Sequence, residues 1–174
     1  MINVSKLKNE KAGFTLIELL LYVGVVAFIL SGVTAFLFMT LQARIKTQAM
    51  NEVNYQGQQI INLVSQTIRN AEAVNSPTKQ NNDSSLSVDM VDSAVDPTSF
   101  NISGGVIQIE EDGEGLIDLT NSKVIASNLM FHNYGLGDAP DSIHFEFQLD
   151  YKNLESRNEY NYSESFYGSA SIRK

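Results

Sequence analysis

The chain has 174 residues, no Cys, no Trp and a formal net charge of −8. That length supports one domain with a modest core. The lack of Cys excludes disulfide staples and thiol chemistry, and the acidity disfavours a nucleic-acid partner, because the phosphate backbone repels it.

The first thirteen residues carry Lys6, Lys8 and Lys11 against one acid, Glu10. A positive flank of this kind is expected on the cytoplasmic side of a membrane. From Leu19 to Ala43 there are 25 residues without a charged side chain. As a helix they span roughly 37 Å, enough to cross a hydrocarbon core of about 30 Å. Glu18 sits at the start of this run. A carboxylate there costs on the order of 2.5–3.5 kcal/mol, so it needs a cationic partner. A cut between Gly13 and Phe14 would create one, since the new amine of Phe14 on a neighbouring copy could neutralise Glu18 inside an apolar bundle.

Gly13-Phe14-Thr15-Leu16-Ile17-Glu18-Leu19-Leu20 resembles the class III signal of type IV pilins and type II secretion pseudopilins. The resemblance covers the first thirty or so residues. It implies that a prepilin peptidase cuts after Gly13 and methylates Phe14, and that Glu18 serves assembly with other pilin or pseudopilin subunits. The family's frequent proline within the apolar helix falls at Ala35 here, which puts melting of the helix near Gly32 in doubt. Gly24 and Gly32 suit close helix approach and equally suit an ordinary membrane helix. Two plainer readings stand beside the resemblance. One is a secretory signal peptide cut after Val33-Thr34-Ala35, against which the apolar run continues to Met39. The other is an uncleaved signal anchor. Loss of the leader's three Lys and one Glu, from twelve basic and twenty acidic side chains, leaves nine against nineteen in the mature chain.

Beyond the apolar run, Leu41, Ile45, Ala49, Val53, Gly57, Ile60, Ile61, Val64 and Ile68 recur at helical spacing. Polar Gln42, Lys46, Gln48, Asn51, Glu52, Gln58, Gln59 and Asn62 take the other face. The spacing predicts a helix from Phe14 to Val74, stopped at Asn75-Ser76-Pro77. Lys79 to Ser85 reads as a polar linker. Strands are expected at Leu86–Met90, at Ser99–Ser103 and Val106–Glu110 around the Gly104-Gly105 turn, and at Gly115–Thr120 and Lys123–Ala126 around Asn121-Ser122. Another is expected at Leu129–Tyr134, before the Gly135–Pro140 loop. Ile143 to Tyr151 alternates apolar and polar without a break, and Tyr160 to Phe166, running on to Ile172, reads as its antiparallel partner across Lys152–Glu159. The fold class expected is therefore α+β, a long N-terminal helix packed on an antiparallel sheet. Its parts are a leader (1–13), a membrane or filament-core helix (14–43), an amphipathic half (44–76) and a β-rich head (77–174).

Motifs for enzymatic work are missing: no Gly-x-Ser-x-Gly, no phosphate-cradling glycine loop and no His-Glu-x-x-His. No enzyme and no cofactor are expected. His132 and His144 form no spaced ligand set, and alternation puts His144 on the solvent face. Glu110, Glu111, Asp112 and Glu114 around Gly113 are a weak Ca²⁺ candidate, which the solvated acidic turn between two strands outweighs. Asp138 and Asp141 flank Pro140 without an evident partner. The tail aromatics Tyr151, Tyr160, Tyr162, Phe166 and Tyr167 are expected to be mostly core, with Tyr167, pointing opposite to Phe166, the best candidate for a contact surface. The function expected is a structural pilin-like subunit of the cytoplasmic membrane, its head extracytoplasmic, later assembled into a pilus or pseudopilus. Head size and plan suit a minor subunit, like the J-type pseudopilins or W-type minor pilins. The alternative is a membrane-anchored binding or adhesin module that does not polymerise.

Overall fold

The computed structural model describes residues 13–153 and 161–173. The lysine-bearing leader, the Lys152–Glu159 connection beyond Asn153, and Tyr160 lie outside them. The chain divides into two compact units, one ending at Gln42 and one beginning at Ala43.

A single helix, α1, spans Leu16–Asn70. Up to Gln42 its side chains are solvent-exposed, including Leu20, Phe28, Leu37 and Phe38. From Ala49 onward it becomes amphipathic, burying Val53, Gly57, Ile60, Val64 and Ile68. This is the stripe that the three- and four-residue spacing marks.

Nine strands follow among the described residues. β1 (Ala71–Ser76), β3 (Leu86–Met90), β4 (Thr98–Ser103), β5 (Val106–Glu111) and β6 (Leu116–Asp118) form one sheet. Its order is β1-β3-β4-β5-β6. β2 (Asn82–Asp83), β7 (Val124–Asn133), β8 (Ser142–Tyr151) and β9 (Ser163–Ser171) form the second, in the order β2-β7-β8-β9. Every pairing is antiparallel, and the fold is α+β as the sequence predicts.

The strongest alternation is seen directly in the fold. β8 buries Ile143, Phe145, Phe147 and Leu149 and leaves the residues between them half-buried. β9 pairs along it, with Phe166 opposite Phe147 and Ala170 opposite Ile143. Ser103 faces Val106 across the expected two-residue turn, whose glycines both take positive φ, 59° and 80°. A turn of that shape suits the strand twist and excludes most other residues.

Four local expectations fail. Ala71 to Val74 does not continue the helix; it is β1, paired with β3, because ladder pairing there outweighs modest helix propensity. The polar linker contains β2, whose two residues pair with His132 and Phe131. The strands expected at Lys123–Ala126 and Leu129–Tyr134 are one strand, β7, with a register shift between Ser127 and Met130 and Asn128 at φ 54°. The turn at Asn121-Ser122 joins no hairpin, since β6 and β7 belong to different sheets.

One apolar core unites both sheets with the helix from Val53 to Ile68. Phe100, Ile107 and Leu86 enter it from the first sheet, and Phe131, Phe145 and Phe147 from the second. Each such side chain contributes on the order of 1.5–3 kcal/mol by leaving water.

Candidate functional site

Two regions stand out, the start of α1 and the outer face of the second sheet. Gly13, Phe14 and Thr15 precede the helix in non-helical conformation. Thr15 is its cap: the Glu18 backbone N–H donates to Thr15 Oγ1 at 3.3 Å, and the Leu19 N–H donates to the Thr15 carbonyl at 3.1 Å. Thr-x-x-Glu is a capping-box spacing, and a carboxylate three residues inside a helix also suits the positive end of its dipole. Glu18 thus sits where helix physics favours an acid. Sequence reading singles out Glu18 and passes over Thr15, although the spacing carries the signal. Phe14 is 73% exposed and packs edge-on to Tyr22, ring centroids 5.8 Å apart. Glu18 is exposed, and the only ion pair among the described residues is Lys123 with Glu52.

That pair belongs to a clamp between helix and sheets which sequence reading misses. Glu52 Oε1 accepts from Asn121 Nδ2 at 2.7 Å and from Gln56 Nε2 at 2.8 Å, and Glu52 Oε2 lies 3.4 Å from Lys123 Nζ. The buried Gln56 in turn accepts from the Asn121 backbone N–H at 3.0 Å. These donors, Asn121 foremost, hold the Glu52 carboxyl below the usual carboxylate range against the opposing pull of burial. Glu52 and Gln56 are four apart on α1, the spacing at which helical side chains meet.

The acidic turn does not assemble. Glu110 and Glu111 end β5, where consecutive side chains take opposite faces. Asp112 and Gly113 then turn through positive φ, and Glu114 is exposed. Among the described residues no three His, Asp or Glu side chains group to hold a metal ion.

The outer face of the second sheet gathers what the sequence keeps apart. His132 and His144 are directly opposite on β7 and β8, with Asn82 flanking His132 and Ser169 flanking His144. Tyr134, 63% exposed, lies by both imidazoles, its ring centroid 6.2 Å from His132 in a stacked arrangement and 6.4 Å from His144 edge-on. Tyr167 is also exposed, as the alternation predicts. Beside Tyr134 opens a cleft of about 470 Å³ lined by Gln80, Asn81, Asn82, His132, Asn133, Tyr134 and Leu136.

The cleft is held open by its backing. Asn133, 2% exposed, donates to the Pro77 carbonyl at 3.0 Å and to Asp141 Oδ1 at 2.9 Å, and accepts from the Gly135 N–H at 2.9 Å. Asp141 therefore does have a partner, and Asp138 is not without one either. Lys79 Nζ caps the Gly137 and Ala139 carbonyls at 2.7 and 2.8 Å. Backbone bonds from Gln80 N–H to the Asn133 carbonyl and from Asn133 N–H to the Asn81 carbonyl complete the fastening.

No family model, no curated protein and no solved structure matches this chain.

Proposed function

We propose that the chain is a pilin-like structural subunit, cut after Gly13 by a prepilin peptidase, methylated at Phe14 and assembled through its N-terminal helix. The observation that carries the reading is the Gly13-Phe14-Thr15-Leu16-Ile17-Glu18 segment opening a helix whose side chains are exposed and largely apolar as far as Leu41. That part of α1 is long and apolar enough to cross a membrane. A surface so apolar needs lipid or other apolar helices around it, and a subunit that moves from membrane to filament core uses each in turn. Glu18 has no cation beside it among the described residues, which suits a partner supplied by a neighbouring copy. The Phe14 amine freed by the cut is that partner, and its pairing sets the axial register.

The test is the mass and terminal residue of the protein recovered from its cells, together with a sheared surface fraction. A methylated Phe14 terminus and presence in filaments are expected. Glu18→Ala should still be processed but enter filaments on the order of a hundredfold less, since an unpaired charge in an apolar bundle costs about 3 kcal/mol. Recovery of the uncut chain, absent from filaments, would leave the membrane-anchored module instead. Normal incorporation of Glu18→Ala would remove the pairing mechanism.

A further inference from the structure

We infer that the cleft beside Tyr134, walled by Gln80–Asn82 and by His132–Leu136, is a binding site for a neutral saccharide. The inference goes beyond filament assembly and does not rest on it, because every lining residue belongs to the unit that begins at Ala43.

The lining chemistry selects the ligand class. Three of the lining residues, Gln80, Asn81 and Asn82, carry exposed side-chain amides, and an amide offers both donors and an acceptor; the fourth amide, on Asn133, is spent on the brace behind them. Hydroxyl groups, which are donors and acceptors at once, are the natural complement. Among the described residues no Asp, Glu, Lys or Arg lines the cleft, although the chain carries twelve basic and twenty acidic residues. A phosphate, sulfate or carboxylate ligand would find no fixed counter-charge there. A purely apolar ligand would strip water from the amides without replacing their hydrogen bonds.

Tyr134 supplies the apolar part. One side of its ring is occupied by His132 and an edge contact by His144, yet the residue remains 63% exposed. A pyranose presents a face of C–H groups that stacks on such a ring while its equatorial hydroxyls reach the rim. Leu136, 65% exposed, extends the apolar strip. The volume lies within the range of about 300–1,000 Å³ usual for small-molecule sites. The site is also fixed in advance: Asn133 ties the Pro77 and Gly135 ends of the two walls together from within, so little loop ordering remains to oppose binding. Gln80 and Asn82, on the opposite wall, have exposed side chains.

The experiment uses the full chain in a zwitterionic detergent that carries no sugar headgroup. Cello-, malto- and chito-oligosaccharides are the neutral probes, and an oligogalacturonate is the charged comparator. Saturation-transfer NMR reads contact and titration reads affinity. At least one neutral series should bind saturably, and the oligogalacturonate at least tenfold more weakly. Tyr134→Ala should weaken binding about tenfold through loss of the stacking face, while Tyr134→Phe stays within about twofold of the parent. Asn82→Ala, a change at an exposed rim position, should also weaken it severalfold with the melting temperature unchanged. The inference is overturned if no neutral series saturates, if the charged comparator binds as well, or if Tyr134→Ala binds like the parent.

Discussion

At Gly57 the helix backbone lies close against Phe166 of β9, and Gly57→Ala tests that packing. In an exposed helix the change would stabilise by about 0.8–1.0 kcal/mol, because Gly is the poorer helix former. Here an added Cβ would lie 2.2 Å from Cζ of Phe166, 2.3 Å from Cε1 and 2.6 Å from Cε2. Carbon atoms pack at about 3.5–4.0 Å, so the ring tip must retreat by more than about 1 Å. Phe166 is 5% exposed and stacks on Phe147 with centroids 5.3 Å apart, which leaves it little room to move. Overpacking of this kind costs about 1–3 kcal/mol, so after the propensity gain the expected net loss is about 1 kcal/mol. For a unit of this size that lowers Tm by roughly 3–5 °C, read by tyrosine fluorescence on the full chain in detergent. The decisive measurement is the double-mutant cycle with Phe166→Leu, which removes the ring tip. In the Phe166→Leu background the alanine should cost nothing or stabilise, giving a coupling of about 1 kcal/mol. If Gly57→Ala raised Tm in the parent chain, the close approach of α1 to β9 would be refuted.

Two further outcomes follow from the polar clamps. The Glu52 carboxyl titrates below its ordinary value because Asn121, Gln56 and Lys123 favour the ionised form, so it adds stability above the unfolded-state value that is lost as pH falls through the folded-state value. Glu52→Gln should therefore lower Tm at pH 7, with the gap to the parent closing below roughly pH 5; a gap that stayed constant from about pH 7 to about pH 3 would count against the clamp. Asn133→Leu should cost about 1–3 kcal/mol, because it strands the Pro77 carbonyl and the Gly135 N–H in a buried place. An unchanged Tm would mean that the 77–82 and 133–141 segments are not fastened by this side chain.

What is legible in the sequence is what repeats. The stripe from Val53 to Ile68 and the alternation of β8 each repeat one periodicity over many residues, and both are seen in the fold. β1 is hidden because Ala-Glu-Ala-Val satisfies a helix as well as a strand, and only its pairing with β3 decides between them. β7 reads as two strands because its bulge changes the phase of burial, so that Ala126 and Leu129 are both inside although three residues apart. The segment from Gly13 to Glu18, on which the proposed processing rests, stands out in the sequence because its residues are contiguous. The cleft does not, because its walls lie some fifty residues apart in the chain and meet through the short β2–β7 pairing and the hydrogen bonds around Asn133 and Lys79. Asn133 looks like one more polar residue before a loop; its burial, which makes it a brace, is a tertiary fact.

The absence of Cys gives those braces their weight. A disulfide typically contributes about 2–4 kcal/mol, largely by restricting the unfolded chain, and nothing of that kind is available here. An ordinary hydrogen bond contributes about 1 kcal/mol net, so one alone is a poor substitute. The loop from Tyr134 to Asp141 is held by several at once: Asn133 to Asp141, Lys79 to two carbonyls, the Tyr134 N–H to the Ser142 carbonyl and the Ile172 N–H to the Asp141 carbonyl. Together they tie three chain segments, around residues 79, 135 and 172, at one corner of the second sheet. The connection from β6 to β7 is tied the same way through Glu52, Gln56 and Asn121. Staples of this kind are indifferent to reducing agents, and the one through Glu52 is also sensitive to acid, because its neighbours favour the ionised carboxyl. A chain fastened so should keep its melting temperature in excess thiol and lose part of it as Glu52 takes up a proton.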